Sequence, residues 1–284
     1  MSFTSKELKV LRNIIGAVET GGQVYGEGDY ADFTPAYANS YSEHGITIGR
    51  YQYYATEAKE LLFRILRTYP EEFRKLDTAE IESDLKVRNW AYYKIAKGSE
   101  KAKCIQRIIS SDVGKKVQDE LVDEEMQSYA KQIERIGVTD HQAQAMCCNF
   151  THQGGLSATK RIIAKTKEPY NLDNLYNASK TDTGNQVGAY KSRQKFVYNA
   201  LKKYWPMDGA KYDSKLLGDM KVTNAESLYF RKDAGKTNDV VGVLNGGTIV
   251  KCDGYYKVVD GTKWYSIIYG VKCGYASSKY LTKV

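Results

Sequence analysis

Glu19 closes an apolar helical stretch, Leu8-Lys-Val-Leu-Arg-Asn-Ile-Ile-Gly-Ala-Val18, and Thr20-Gly-Gly22 follows it. A carboxyl group at the rim of an apolar surface loses hydration and keeps its proton to higher pH. A second carboxyl in a wetter loop stays ionised, and Glu43-His-Gly-Ile-Thr-Ile-Gly49 offers one at Glu43. Two carboxyls set apart in this way are what acid–base cleavage of a glycosidic bond requires. Thr47 adds a hydroxyl that could hold the attacking water, with Ile46 and Ile48 facing the other way along a strand. Asp29 and Asp32, in Gly28-Asp-Tyr-Ala-Asp32, compete with Glu43 for the second position. Tyr51 and Gln52 stand ready to contact a sugar's ring face or acetamido group. Asn149 and Gln153, four apart on one helix face, either orient substrate or satisfy buried backbone groups.

Other chemistries fit less well. Cys147 or Cys148 with His141, His152 or His44 would make a peptidase, but both thiols follow Ala143, Ala145 and Met146 inside an apolar helix. A nucleophilic cysteine needs an electropositive, partly exposed setting. No metal is expected, because the three histidines and five cysteines show no ligand spacing. Gly21-Gly22 and Gly154-Gly155 lack the Lys-Ser/Thr that completes a phosphate loop, and no cofactor is expected.

The elements that must position these groups fall into two regions. From about residue 5 to 205 the apolar period is helical. Ser5 is the expected cap of a helix whose apolar positions are Leu8, Leu11, Ile14, Ile15 and Val18. Residues 20–46, rich in Gly, Tyr, Asp and Ser, predict a long structured loop or short strands. Helices are expected over Ala55–Thr68, Thr78–Lys97, Ser99–Arg135 (with a break near Gly114) and Asp140–His152. Leu156–Thr166, Leu172–Ser179 and Gln186–Lys203 follow. After Val222 the period becomes two, in short segments at Leu228–Arg231, Val240–Leu244, Thr248–Cys252, Tyr255–Val259, Lys263–Ile268 and Gly274–Ala276. That spacing predicts a small all-β barrel over 220–284, a linker over 207–219 and a helical domain over 1–206, an α+β multidomain chain.

Composition is compatible with this and narrows the partners. The 284 residues are 42% hydrophobic and 27% charged, a globular balance. Twenty-four tyrosines against seven phenylalanines suit packing at wet edges and polar, sugar-like ligands. Of the net charge of +8, residues 220–284 carry ten Lys and Arg against five Asp and Glu. The short C-terminal part is thus the more basic per residue and favours an anionic surface. Nucleic acid is not an expected partner, since no binding motif and no concentrated basic run appears. Neither an apolar signal core nor a membrane-length apolar run is present. The expectation is synthesis in the cytoplasm and action elsewhere only by another route of release. Five irregularly spaced cysteines imply no disulfide framework.

Residues 222–284 resemble the bacterial SH3 (SH3b) family of cell-wall-acting proteins. Ser227-Leu-Tyr-Phe-Arg231, Val241-Gly-Val-Leu-Asn-Gly-Gly-Thr-Ile-Val250, Trp264-Tyr-Ser-Ile-Ile268 and Gly274-Tyr-Ala-Ser-Ser-Lys-Tyr-Leu281 carry the resemblance, in family order. Tyr229-Phe230 departs from the more usual Asn-Val. The resemblance implies binding to peptidoglycan peptides or anionic wall polymers, with Tyr229, Tyr255, Trp264 and Tyr275 as candidate contacts unless they fill the barrel core.

The N-terminal region resembles the lysozyme superfamily in its broad sense, which includes phage lysozymes, chitosanase-like enzymes and lytic transglycosylases. Three pieces carry this: the helix ending in Glu19; Glu43-His-Gly-Ile-Thr-Ile-Gly-Arg-Tyr-Gln52, similar to a Thr-Ile-Gly hairpin; and His141-Gln-Ala-Gln-Ala-Met-Cys-Cys-Asn-Phe-Thr-His-Gln-Gly-Gly155. The resemblance implies Glu19 as general acid and Glu43, where the family more often has Asp, as base. The whole layout resembles a phage endolysin: a peptidoglycan hydrolase, muramidase type, anchored by SH3b. A lytic transglycosylase, an N-acetylglucosaminidase, a Cys-dependent peptidase or amidase, and a non-enzymatic wall binder are the alternatives.

Overall fold

Thr4, not Ser5, caps the first helix. Its hydroxyl accepts from Glu7 N at 3.3 Å while the Glu7 carboxylate accepts from Thr4 N at 2.7 Å, a reciprocal capping box. Helix α1 (Ser5–Thr20) runs until Gly21 adopts a φ of +73°, a backbone state that suits glycine. Its Leu11, Ile14 and Ile15 are fully buried, each contributing about 1.5–3 kcal/mol through apolar burial. The computed structural model describes residues 3–183, 185–205, 210–270 and 272–284. The chain divides into two units, Met1–Leu201 and Lys202–Val284. Among the described residues no helix is long and apolar enough to cross a membrane.

In the first unit, three two-residue strands follow α1: β1 (Phe33–Thr34), β2 (Thr47–Ile48) and β3 (Tyr53–Tyr54). They form an antiparallel sheet in that order, with Thr47 opposite both Thr34 and Tyr54. Ile46, Thr47 and Ile48 are all buried, the two isoleucines completely and Thr47 nearly so. Gly49, at φ +80°, starts the turn between β2 and β3. A Cβ there would lie 2.3 Å from Gln118 Oε1. Buried Gln118 ties the turn down, accepting from Arg50 N at 2.9 Å and donating to Tyr30 O at 3.2 Å and Ile109 O at 2.8 Å.

Helices α2 (Thr56–Thr68), α3 (Pro70–Leu76), α4 (Ile81–Val87), α5 (Glu100–Ser110), α6 (Asp112–Glu134), α7 (His141–Lys165), α8 (Leu172–Lys180), α9 (Asn185–Ala189) and α10 (Lys191–Tyr204) complete the unit. The single helix expected over Thr78–Lys97 is instead α4 followed by a 3-10 turn at Trp90–Tyr92, because Asp77 caps α4 at Ile81 N and Glu82 N. The break expected near Gly114 falls at Ser111, whose hydroxyl caps α6 at Gly114 N. Gly114 is needed for a different reason: a Cβ would sit 2.2 Å from Ile108 O. The two helices expected over Asp140–His152 and Leu156–Thr166 are one element, α7, kinked where Gly155 takes φ +76°. Arg12 of α1 pairs with Asp123 of α6 at 2.5 Å and lies 3.5 Å from Asp119.

The second unit is an antiparallel sheet. Its strands are β4 (Lys211–Tyr212), β5 (Gly218–Val222), β6 (Ser227–Arg231), β7 (Val240–Asn245), β8 (Ile249–Val259), β9 (Thr262–Tyr269), β10 (Lys272–Ser277) and β11 (Leu281–Lys283). The order is β11-β5-β8-β9-β10-β6-β7, with β4 also paired to β8. Asp260-Gly261, both at positive φ, make the two-residue turn between β8 and β9. The two segments expected at Thr248–Cys252 and Tyr255–Val259 are one long strand, because the interruption is a bulge rather than a turn. Buried Asp253 sits in it and accepts from Tyr255 N at 3.1 Å and Ser266 Oγ at 2.9 Å, replacing lost ladder bonds. Met220, Phe230, Leu244, Val250 and Ile267 form the centre of the core. Of the stretch expected as a linker, 207–209 lie outside the described residues. The remainder supplies β4, a 3-10 turn at Ser214–Leu216 and the start of β5.

Candidate active site

Glu19 stands in the last turn of α1 with its side chain 15% exposed. A carboxylate there meets the negative end of the helix dipole, which is unfavourable. The structure offsets this with a cation from the other end of the unit: Arg193, in the first turn of α10, places Nη2 2.6 Å from Glu19 Oε1. The contact is an ion pair rather than a well-directed hydrogen bond. His152, just before the kink in α7, brings Nε2 to 3.4 Å from the same oxygen. Glu19 is therefore largely withdrawn from solvent, and its polar neighbours are a guanidinium and an imidazole.

Behind this pair lies a chain of amides. Arg193 Nε donates to Asn149 Oδ1 at 3.0 Å, Asn149 Nδ2 donates to Gln194 Oε1 at 2.7 Å, and Gln194 Nε2 donates to Gln153 Oε1 at 2.7 Å. Asn149 is fully buried and Gln194 nearly so. Each link fixes the orientation of the next, so the guanidinium is aimed by a preorganised support. Asn149 and Gln153, expected near the site from their spacing, do join it, as partners of α10. Arg193, Gln194 and His152 in its contact with Glu19 were not foreseen. A basic residue in a helix's first turn, where acids are favoured, was the available signal for Arg193.

His152 reads as the Nε2–H tautomer, since the Tyr51 carbonyl 3.2 Å away can only accept. Burial pushes its pKa down, Arg193 pushes the same way, and Glu19 opposes them. Tyr51 thus reaches the site through its backbone. Its ring is fully buried and its hydroxyl donates to Asp119 Oδ1 at 2.6 Å, so the expectation that it contacts substrate is corrected: the ring is core. Arg50, 5% exposed, lies over the rings of Tyr30 and Tyr51 and donates to the Tyr30 hydroxyl at 2.8 Å.

The three candidates for the second carboxyl sit differently, and among the described residues none is bonded to Glu19. Asp29 is exposed and closes a turn on Ala31 N at 3.0 Å. Asp32 accepts from Gln52 Nε2 at 2.7 Å, and its carbonyl accepts from Gly49 N at 2.9 Å. Gln52 thus ties Asp32 to the turn between β2 and β3 through its Nε2, which also donates to Gly49 O at 3.1 Å. Glu43 lies in the loop between β1 and β2, where its carbonyl accepts from Tyr37 N at 2.7 Å. Its carboxylate has no partner among the described residues.

A further carboxyl pair was invisible in the sequence. Glu125 of α6 is pushed up to about 8 by burial, then by the charges of Glu57 and Glu124. Glu57, in the first turn of α2, also acts on His152 and on the hydroxyls of Tyr53 and Tyr129. Among the described residues the buried Tyr53 hydroxyl has no hydrogen-bond partner.

The thiols offer no competing chemistry. Cys147 and Cys148 are fully buried, and burial pushes both well above the ordinary thiol range. His141 pairs with Glu7 at 2.8 Å and His44 with the Tyr37 hydroxyl at 3.1 Å. In the second unit, Tyr255, Trp264 and Tyr275 are each under 10% exposed. Trp264 and Tyr275 pack together with Ala234. These three are packing residues, which corrects their candidacy as ligand contacts. Tyr229 alone of the four is exposed, at 52%, with the Arg231 guanidinium 5.6 Å from its ring centre.

No protein-family model matches the chain, and no curated protein matches it. Among solved structures it is similar to the native chitosanase from Bacillus subtilis MY002. The identity is 13% and the TM-score 0.46, over 70% of this chain and 88% of that one. It is also similar to a mutant of that chitosanase complexed with 6 GlcN, at 11% identity and a TM-score of 0.45 over the same shares. At this identity and TM-score the likeness assigns no family.

Proposed function

We propose that the first unit is a glycoside hydrolase acting on the β-1,4 bonds of peptidoglycan, muramidase type, and that the second is an SH3b-like wall-binding module. The layout fits an endolysin that reaches the wall after release from the cytoplasm. The observation that carries the reading is Glu19 at the end of α1, half-buried and aimed by Arg193 and His152 with an amide network behind them.

In the mechanism, Glu19 gives its proton to the glycosidic oxygen as the bond lengthens, and the second carboxyl takes a proton from the attacking water. Glu43 suits the base because its carboxylate is uncommitted, whereas Asp32 is held by Gln52. Thr47, 7% exposed, would help to hold the water.

Muropeptides released from purified walls by the wild type and by Glu19→Gln test this. The wild type should generate new reducing ends, and the variant should lose at least about 100-fold in turnover, typical for loss of a general acid. Lysis by Glu19→Gln at the wild-type rate would remove the residue from the chemistry. Anhydro ends would mark a transglycosylase, N-acetylglucosamine reducing ends a glucosaminidase, free amines a peptidase, and no release a non-enzymatic binder.

A further inference from the structure

The first turn of α10 has a second role beyond Arg193. A cavity of about 200 Å³ opens beside it against α8, lined by Lys180, Lys191, Lys195, Ser192, Tyr176 and Gln194 among others, and no carboxylate lines it. Lys191 and Lys195 are four apart on the exposed side of α10, and among the described residues neither has an acidic or hydrogen-bonding partner. Like charges at that spacing repel. Cations in a helix's first turn also oppose the positive end of its dipole, and α10 has no acid there to compensate. Lys180 is held in place from the other wall: its Nζ donates to Asn177 Oδ1 at 2.8 Å and lies 4.2 Å from the centre of the Tyr176 ring. That ring is itself stacked on Tyr198 at 4.1 Å. The cavity is thus lined by three lysines, a serine and an aromatic ring held by stacking. An anion bound there relieves the repulsion between Lys191 and Lys195.

We infer that this cavity binds an anionic group, a carboxylate or a phosphate ester, carried by the polymer on which the first unit acts. The inference rests on the glycoside hydrolase reading and narrows it to acidic glycans, against neutral or cationic ones. Lys191 and Lys195 stand two residues to either side of Arg193, so the cavity and the candidate site are built on the same segment of α10. Gln194 links the two sites, since it lines the cavity and also bonds Asn149 and Gln153.

The test reads binding and needs no turnover, so it stands even if the hydrolase reading fails. The ¹⁵N-labelled full chain is titrated with N-acetylmuramic acid, glycerol phosphate and N-acetylglucosamine, following the amides of α8 and α10. The same titrations are run on Lys191→Gln/Lys195→Gln, whose exposed positions leave the fold intact by circular dichroism. At least one anion should shift these amides with an affinity roughly tenfold or more above that for N-acetylglucosamine, and the double variant should lose that preference, as should high salt. The tighter of the two anions identifies the source as carboxylate or phosphate. Equal affinity for the neutral sugar, no shift in α8 and α10, or an unchanged preference in the double variant would each overturn the inference.

Discussion

Glu19 and Arg193 meet at 2.6 Å although one belongs to the first helix of its unit and the other to the last. The pair joins the two ends of the unit's chain at the candidate site, so stability and chemistry are coupled there. Both side chains are largely buried, at 15% and 11% exposed. Arg193→Met should cost about 1–3 kcal/mol, since it strands a half-buried carboxylate and leaves Asn149 Oδ1 without its donor. Adding Glu19→Gln should recover part of that loss. Chemical denaturation of the four members of this cycle measures the coupling; strict additivity would mean the contact contributes nothing.

Glu125 makes stability depend on pH in an uncommon direction. Its folded pKa of about 8 lies above the ordinary glutamate value of 4.5, so the folded state holds a proton that the unfolded state releases. Stability from this group is full at acid pH and falls as pH rises through about 4.5 to 8. Glu125→Gln should therefore gain stability relative to the wild type at pH 8 and lose that advantage near pH 4.5. Melting temperatures across that range check the sign.

His152 shifts the other way. Burial, then Arg193, lower its folded pKa against the opposing charge of Glu19. The folded state binds fewer protons than the unfolded one, so this contribution is present above the ordinary histidine value and is lost as pH falls through the folded value. Proton NMR of His152 should show a midpoint below that of a free histidine, and Arg193→Met should raise it. A midpoint unmoved by the substitution would dissociate the two residues electrostatically.

The aromatics of the second unit should separate by burial. Trp264→Ala removes a side chain that is 6% exposed and should destabilise that unit by about 3–5 kcal/mol. Tyr229→Ala, at 52% exposed, should leave its melting unchanged and weaken sedimentation with purified walls if Tyr229 is a contact. Unchanged sedimentation would place the wall-binding face elsewhere on the sheet.

Much of the architecture was written in local pattern. The helical period marked α1, α2 and α8 to within a few residues and the two halves of α7, and the change to a period of two marked the strands after Val222. Local chemistry also fixed several ends, such as Asp140 capping α7 and Asp260-Gly261 turning β8 into β9. The misplaced boundaries were those set by competing caps: Thr4 over Ser5, Ser111 over Gly114, and Asp77 at the start of α4. In each case several residues nearby could cap, and packing chose among them.

The sequence by itself determined that Glu19 ends an apolar helix, that Thr47 lies in a short strand and that Asn149 and Gln153 share a helix face, because these follow from spacing along one element. Only the tertiary structure decided what each of them touches. Arg193 and His152 reach Glu19 from α10 and α7, the charge of Glu57 on α2 acts on Glu125 of α6, and Tyr51, Trp264 and Tyr275 turn inward where an amphipathic residue could equally have faced solvent. Such contacts join residues far apart in the chain, and nothing in the local sequence fixes the electrostatic environment that long-range packing creates.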